Sequence, residues 1–95
     1  MDPIADHKSG HRARLRERFL RTGVAGLHDY EVLELLLMYA IPRRDVKPLA
    51  KELLAHFGSL PKVIDATVTE LTAFPGIGEN AAGLIILIKQ VCGQY

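Results

Sequence analysis

The chain has 95 residues, 48% of them hydrophobic and 24% charged, and its formal net charge is only +1. This length fits one small domain, and the composition, with Cys92 as the single cysteine, excludes a disordered chain, a disulfide framework and a polycation that binds nucleic acid through bulk charge. The start of the chain has no apolar signal segment and no apolar run is long enough to span a membrane, so we expect a cytoplasmic protein without a membrane partner.

The first predicted element is a basic helix. The polar segment before about Gly10 is expected to fray, whereas Leu15 and Phe19 lie four residues apart and would dock one face of a helix on the core. The arginines around them would then face water or phosphate, and Arg12 and Arg16 are our candidates for contact with nucleic acid. A purely solvated basic face is the alternative interpretation.

The next two helices are predicted from caps and from apolar spacing. Asp29 is placed as the cap of a helix that runs to Ala40 and is ended by Pro42. Asp45 is placed as the cap of the following helix, and Gly58 as its left-handed stop. This second helix carries a complete apolar stripe at helical spacing, which comprises Val46, Leu49, Ala50, Leu53, Leu54 and Phe57.

Two short helices and one long helix complete the predicted chain. Ser59 opens the first short helix, and Thr67 with Glu70 three residues on makes a capping box for the second. The last helix, residues 79–94, is apolar nearly all round. We therefore expect it to be the buried centre of the domain, with Cys92 as a small core residue.

Residues 74–78, with the sequence FPGIG, form the one motif in the chain that indicates a binding function. Two glycines allow backbone angles closed to other residues, Ile77 would pin the turn to the core, and the unpaired amides of the next helix would point outward with its positive dipole end. The pattern resembles a helix-hairpin-helix element, so we place one phosphate on the amides around Gly76, Ile77 and Gly78. A simple tight turn is the alternative, and Glu79 would repel a phosphate where DNA-binding hairpins commonly carry Lys or Arg.

A second copy of this hairpin is indicated earlier in the chain. Three positions carry residues of the same type again 33 positions later, two apolar residues and a proline, which suggests two related helix–turn–helix halves. The matching residues are Met38, Ile41 and Pro42 in the first half and Leu71, Phe74 and Pro75 in the second.

The turn of the first hairpin has no glycine but carries two adjacent arginines. One hairpin would therefore offer backbone donors and the other side-chain charge. We place a second phosphate on Arg43, Arg44 and Lys47. Solvated loop charge, or pairing of the arginines with Glu31 and Glu34 of the preceding helix, is the alternative.

These elements predict an all-α fold. Connections of about two to six residues between consecutive helices imply antiparallel or crossing neighbours. The expected architecture is a tandem helix-hairpin-helix bundle of about five to six short helices. Residues 1–21 form its basic arm and helix, and residues 22–95 form the helix-hairpin-helix domain itself.

No enzymatic constellation is recognisable in the sequence. The four histidines form no zinc-binding pattern, and no glycine-rich phosphate loop with Lys and Ser or Thr occurs. We therefore expect no catalytic residue, no metal site, no cofactor and no enzymatic activity in this chain.

A family resemblance is specific in the combination of five blocks, which are residues 10–12, 15–20, 27–37, 41–48 and 57–60. Together they closely resemble the N-terminal domain of the RadC family, also designated UPF0758, whose members were named as DNA-repair proteins. That family pairs this helical domain with a C-terminal JAB/MPN-type metal-dependent hydrolase domain. The resemblance implies that this chain is the N-terminal domain alone, and that any hydrolase activity belongs to the part that is absent.

The functional expectation is non-sequence-specific binding to the DNA backbone, which would position the absent hydrolase domain on DNA. Aromatic residues make up only 6% of the chain, which disfavours recognition by base stacking. The alternative is a protein-interaction or intramolecular docking module in which the hairpin is a structural corner, and the near-neutral charge and Glu79 favour it.

Overall fold

Six α-helices and one short 3₁₀ helix make up the fold of residues 3–94. The computed structural model describes residues 3–94, and it describes side chains from residue 10 onward. No strand occurs in this part of the chain, so the predicted all-α fold is confirmed. The helices are α1 (Pro3–Thr22), α2 (Asp29–Ala40), α3 (Lys47–Phe57), α4 (Leu60–Ile64), α5 (Val68–Ala73) and α6 (Glu79–Gln94), with the 3₁₀ helix Val24–Gly26 between α1 and α2.

Local capping interactions set several of these boundaries. Gly58 ends α3 in the left-handed conformation, with φ at +99°, which is the stop that its position predicts. The Ser59 hydroxyl accepts a hydrogen bond from the Lys62 N–H at 3.3 Å at the start of α4. Thr67 and Glu70 form the predicted capping box on α5, with reciprocal distances of 3.1 and 2.9 Å.

Three helix starts differ from the sequence prediction. Helix α1 begins at Pro3 rather than near Gly10. The cap of α2 is His28, one residue before the predicted Asp29, because the Glu31 carboxylate accepts the His28 N–H at 3.0 Å. The cap of α3 is Val46, while the Asp45 carboxylate accepts the Lys47 N–H at 3.1 Å from one position further out.

The core lies where α2 and α3 pack against each other, and the first half of α6 joins it by packing against α2, α4 and α5. The apolar stripe of α3 is confirmed, because its first four members are buried and the last two pack against the same cluster. Helix α1 joins this core mainly through Leu15, which is buried, and Phe19, which is partly buried. The largest fully buried apolar side chains are Leu33, Leu37, Leu53, Leu71, Ile85, Val46 and Val63.

The prediction that α6 is the buried centre is wrong for its second half. Only Ala81, Ala82 and Ile85 of this helix are buried. Leu87 and Val91 are 57% and 46% exposed, and Cys92 is exposed rather than part of the core. The reason is geometric: α6 has 16 residues, whereas its neighbours α2, α4 and α5 have 12, five and six, so they cover one side of part of its length. None of the helices in residues 3–94 is both long and apolar enough to cross a membrane.

Candidate nucleic-acid interface

The two turns that the sequence relates to each other share one backbone feature, a proline followed by a residue with positive φ. In the 74–77 turn, Pro75 precedes Gly76, whose φ is +96°, and the Ile77 N–H donates to the Phe74 carbonyl at 3.1 Å. Proline followed by a residue with positive φ, closed by this hydrogen bond, is typical of a type II turn. In the 41–44 turn, Arg43 follows a proline and has a φ of +67°. The conformational match supports the interpretation of two related halves.

Arg12 holds the 41–44 turn from outside. Its guanidinium donates to the carbonyls of Met38 at 3.1 Å and Ile41 at 3.0 Å, and it also donates to the carbonyl of Arg44. These carbonyls lie at and just beyond the end of α2, where helix carbonyls lack partners and carry partial negative charge. Three of the five N–H donors of Arg12 are therefore used within the protein, and its contact with phosphate stays a prediction.

The hydrogen bonds of Arg12 explain how Arg43, which is not a glycine, keeps a left-handed backbone conformation. The conformation costs Arg43 about 1–2 kcal/mol relative to the right-handed region. Hydrogen bonds from Arg12 to carbonyls on both sides of Arg43 fix the turn that requires it. Arg43 and Arg44 are themselves exposed, so their side chains are available to a partner.

The structure places the two turns next to each other. A Cβ atom built on Gly76 would lie 3.4 Å from the Arg44 guanidinium and 3.2 Å from the Leu49 side chain, so it would crowd both side chains, and the positive φ of this position favours glycine. Beside them lies an open groove with a volume of about 450 Å³. Its lining comprises Ala40, Ile41 and Pro42 from the first hairpin and Gly78, Glu79, Asn80 and Ala81 from the second.

The amide donors at this groove differ from those predicted in one respect. The Ile77 N–H is committed to the Phe74 carbonyl, and the Ile77 side chain is buried, so this residue anchors the turn instead of donating to a ligand. Within residues 3–94, no backbone carbonyl accepts a hydrogen bond from the N–H groups of Gly76 and of residues 78–81. These donors lie in the glycine turn and the first turn of α6.

The two glycines have different roles. Gly76 alone has a positive φ, whereas the φ of Gly78 lies in the range open to every residue. A Cβ on Gly78 would meet nothing within 4 Å. The prediction that both glycines supply special backbone angles holds only for Gly76, and Gly78 contributes an open approach to the amides after it.

The two glutamates of α2 interact with side chains of α1 and not with the arginine turn. The Glu34 carboxylate, buried in the core, lies 2.7 Å from the His11 Nε2, and the Glu31 carboxylate accepts from the Arg18 guanidinium. Burial raises the pKa of Glu31, but the His28 N–H and the Arg18 guanidinium outweigh it and hold that pKa below its usual value. The suggested pairing of the arginine turn with these two carboxylates is therefore wrong.

The remaining basic candidates, Lys47 and Arg16, do not line the groove. The Lys47 ammonium is 5.8 Å from the centre of the Tyr30 ring, and Lys51, which we did not single out from the sequence, is 4.8 Å from the same centre. Their spacing of four residues on α3 is a signal that could have identified the pair. Arg16 is exposed on α1. Among residues 10–94 no ion pair involves Arg16, Arg43, Arg44 or Lys47.

Fold and groove together define an all-α domain in which two proline turns, one arginine-bearing and one glycine-bearing, lie side by side. In the described residues no group of three or more His, Cys, Asp or Glu side chains is placed to hold a metal ion. The chain belongs to the UPF0758 family, whose N-terminal domain model matches residues 7–83. The family resemblance inferred from the sequence blocks is thereby confirmed.

The relatives extend well beyond the part that matches. A UPF0758 protein of Fusobacterium nucleatum is 46% identical over 82 residues, which is 86% of this chain but 35% of the relative. A UPF0758 protein of Ruegeria pomeroyi is 55% identical over 69 residues, which is 73% of this chain and 31% of the relative. A UPF0758 protein of Rhodobacter capsulatus is 54% identical over 65 residues, which is 68% of this chain and 30% of the relative. The chain thus spans about a third of the length of these relatives. No solved structure is significantly similar to it.

Proposed function

We propose that this domain binds the DNA backbone without sequence specificity, through the groove between the 41–44 and 74–77 turns. The observation that carries the proposal is the position of the Arg44 guanidinium beside Gly76, because it puts exposed cationic side chains next to unpaired amide donors. Arginine binds phosphate oxygens through two parallel hydrogen bonds, and a helix N-terminus stabilises the same charge. The two halves of the domain would thus hold neighbouring phosphates of one backbone.

The binding is weak and dependent on salt. Arg43, Arg44 and the amides of residues 78–81 can engage about two to three phosphates, which predicts a slope of log affinity against log salt of about −2 to −3. Contacts of this kind carry no sequence information, because phosphates are the same in every sequence. Arg12 donates to carbonyls and the Lys47 ammonium lies over the Tyr30 ring, so the proposal rests on Arg43, Arg44 and the amides of residues 78–81.

The wider role follows from the family resemblance and is also part of the proposal. A weak backbone-binding domain is suited to positioning a second domain on DNA, because tethering raises the local concentration of the attached domain. The resemblance to RadC proteins implies that this second domain is a JAB/MPN-type metal-dependent hydrolase with a place in DNA repair. The chain itself would then act as a cytoplasmic targeting domain.

A second candidate function is a docking module for protein, in which the 74–77 turn is only a structural corner. Glu79 favours it, because this exposed carboxylate lies in the groove lining at the positive end of α6 and would repel a phosphate there. Its effect on binding is open to direct measurement.

Titration with a short DNA duplex at low salt tests the proposal and separates the two candidates. We expect the amide NMR signals of Arg43, Arg44 and residues 76–81 to shift. An Arg43→Asn plus Arg44→Gln variant should flatten the salt slope by about two, and asparagine tolerates the left-handed backbone that Arg43 adopts. The matched control removes the same charge elsewhere, as Arg21→Gln plus Lys62→Gln. If both double variants lose the same slope, or if no groove signal shifts, the docking module is the better description.

A further inference from the structure

The second half of α6 carries an apolar face that the domain does not use. Leu84, Leu87, Ile88 and Val91 follow one another at i, i+3, i+4 and i+7, the spacing of one side of a helix. None of the four belongs to the core cluster or to the partly buried residues that pack against it. Leu87 and Val91 are exposed, and the other two are half-buried. We call these four side chains the α6 face.

The α6 face points away from the core side of its own helix. Ala81 and Ile85 mark the core side, and Lys89 continues it, because the Lys89 ammonium lies 2.9 Å from the Asp65 carboxylate after α4. At 100° per residue the α6 face is centred roughly 120° from that side and is about 100° wide, as wide as an ordinary core-facing stripe. The α6 face contains no charged residue. Scattered exposed apolar residues are normal in soluble proteins, but a continuous uncharged stripe of this width indicates a contact surface.

The family comparison indicates which kind of partner covers it. The matching family model is the N-terminal one, and it ends at residue 83, immediately before the α6 face begins. The three matches cover only 30–35% of each relative, so about two thirds of each of those proteins lies outside the match. An N-terminal domain is joined to the rest of its protein at its C-terminal end. The α6 face is therefore at the edge from which the remainder of a UPF0758 protein continues.

We propose that the α6 face is the surface on which the C-terminal part of UPF0758 proteins docks onto this domain. A tethered segment is present at an effective concentration of about millimolar, so a small apolar face is sufficient to hold it. A second copy of this chain fits less well, because a stable dimer needs roughly 800 Å² buried on each partner, and four side chains provide much less. This inference concerns a different surface from the groove and does not depend on DNA binding.

Methyl groups make the α6 face directly observable, since all four of its residues carry them. The experiment compares the 95-residue chain with a fusion in which residues 1–94 replace the matching segment of the Fusobacterium nucleatum relative, ahead of that relative's own C-terminal part. A soluble paramagnetic agent enhances the relaxation of exposed methyl groups. We expect the enhancement at Leu87 and Val91 to fall about fivefold or more in the fusion. Leu20 and Val24, which are 78% and 58% exposed on another part of the domain, are internal controls and should not change.

A Leu87→Asp variant provides the second arm. In the fusion it should restore the exposure of the Val91 methyl group, whereas a Val68→Asp variant on exposed α5 should not. Equal enhancement at Leu87 in the short chain and the fusion would overturn the proposal. Shielding of the α6 face in the short chain that grows with concentration, accompanied by dimers in sedimentation, would identify a second copy as the occupant instead. DNA is absent from every arm, so the result is independent of the proposed function.

Discussion

Replacing Arg12 with lysine is the most direct test of how this fold shapes its candidate site. The substitution keeps the positive charge but replaces a planar fork of donors with one ammonium group, which cannot reach three separate carbonyls. Arg12 donates to the carbonyls of Met38, Ile41 and Arg44, and we expect lysine to keep one of these contacts at most. Each lost hydrogen bond at a partly buried carbonyl costs about 1 kcal/mol, so two losses predict about 2 kcal/mol.

The predicted loss is large enough to measure in a domain of this size. A destabilisation of about 1 kcal/mol lowers the midpoint of thermal unfolding by about 4–8 °C in a domain of 60–100 residues, which gives about 8–16 °C here. Urea unfolding followed by far-ultraviolet circular dichroism gives the free energy of unfolding itself. The amide signals of Arg43 and Arg44 should also shift, because the turn loses the contacts that fix its backbone.

Arg16→Lys is the matched control for this experiment. Arg16 lies one turn further along α1, is exposed, and makes no ion pair among residues 10–94, so its replacement should change the free energy of unfolding by less than about 0.5 kcal/mol. Equal stability of the Arg12→Lys and Arg16→Lys variants would refute the conclusion that Arg12 holds the 41–44 turn.

Three further predictions concern the groove and its supports. Glu79→Gln should tighten the binding of duplex DNA at low salt by about two- to fivefold, measured by fluorescence anisotropy, because it removes a negative charge beside the unpaired amides; weaker binding would contradict the proposed phosphate position. Gly76→Ala should destabilise the domain by about 2 kcal/mol in urea unfolding, whereas Gly78→Ala should change the stability by less than about 1 kcal/mol, since only Gly76 has a positive φ and close neighbours. The pKa of Glu31 is lowered in the folded state from 4.5, so its contribution to stability is present above that pH and is lost as the pH falls through the lower folded value. A Glu31→Gln variant should therefore lose less stability than the wild type in urea unfolding below pH 4.5, and identical pH profiles would exclude this role.

Much of the helix pattern was predictable because its signals are local. Gly58, Ser59 and the Thr67–Glu70 pair act on backbone groups within four residues, so their effect can be predicted from the neighbouring sequence. The boundary errors at Asp29 and Asp45 have the same local origin. Two adjacent residues can each satisfy the first amides of a helix, and the sequence does not say which of them takes the cap position.

The amino-acid sequence by itself determined the all-α class and the local helix signals, whereas only the structure shows that Gly76 and not Gly78 has a positive φ. The tertiary structure decided the partners of the charged and apolar side chains that these elements present. Arg12 and Arg16 look alike in the sequence, yet the carbonyls that bind Arg12 lie 26 to 32 residues away, and only folding brings them within hydrogen-bond distance. Helix α6 is apolar on nearly every side, so its sequence does not predict which side faces the core. Short neighbouring helices decided which side is covered, because a side chain is buried only where another element packs against it.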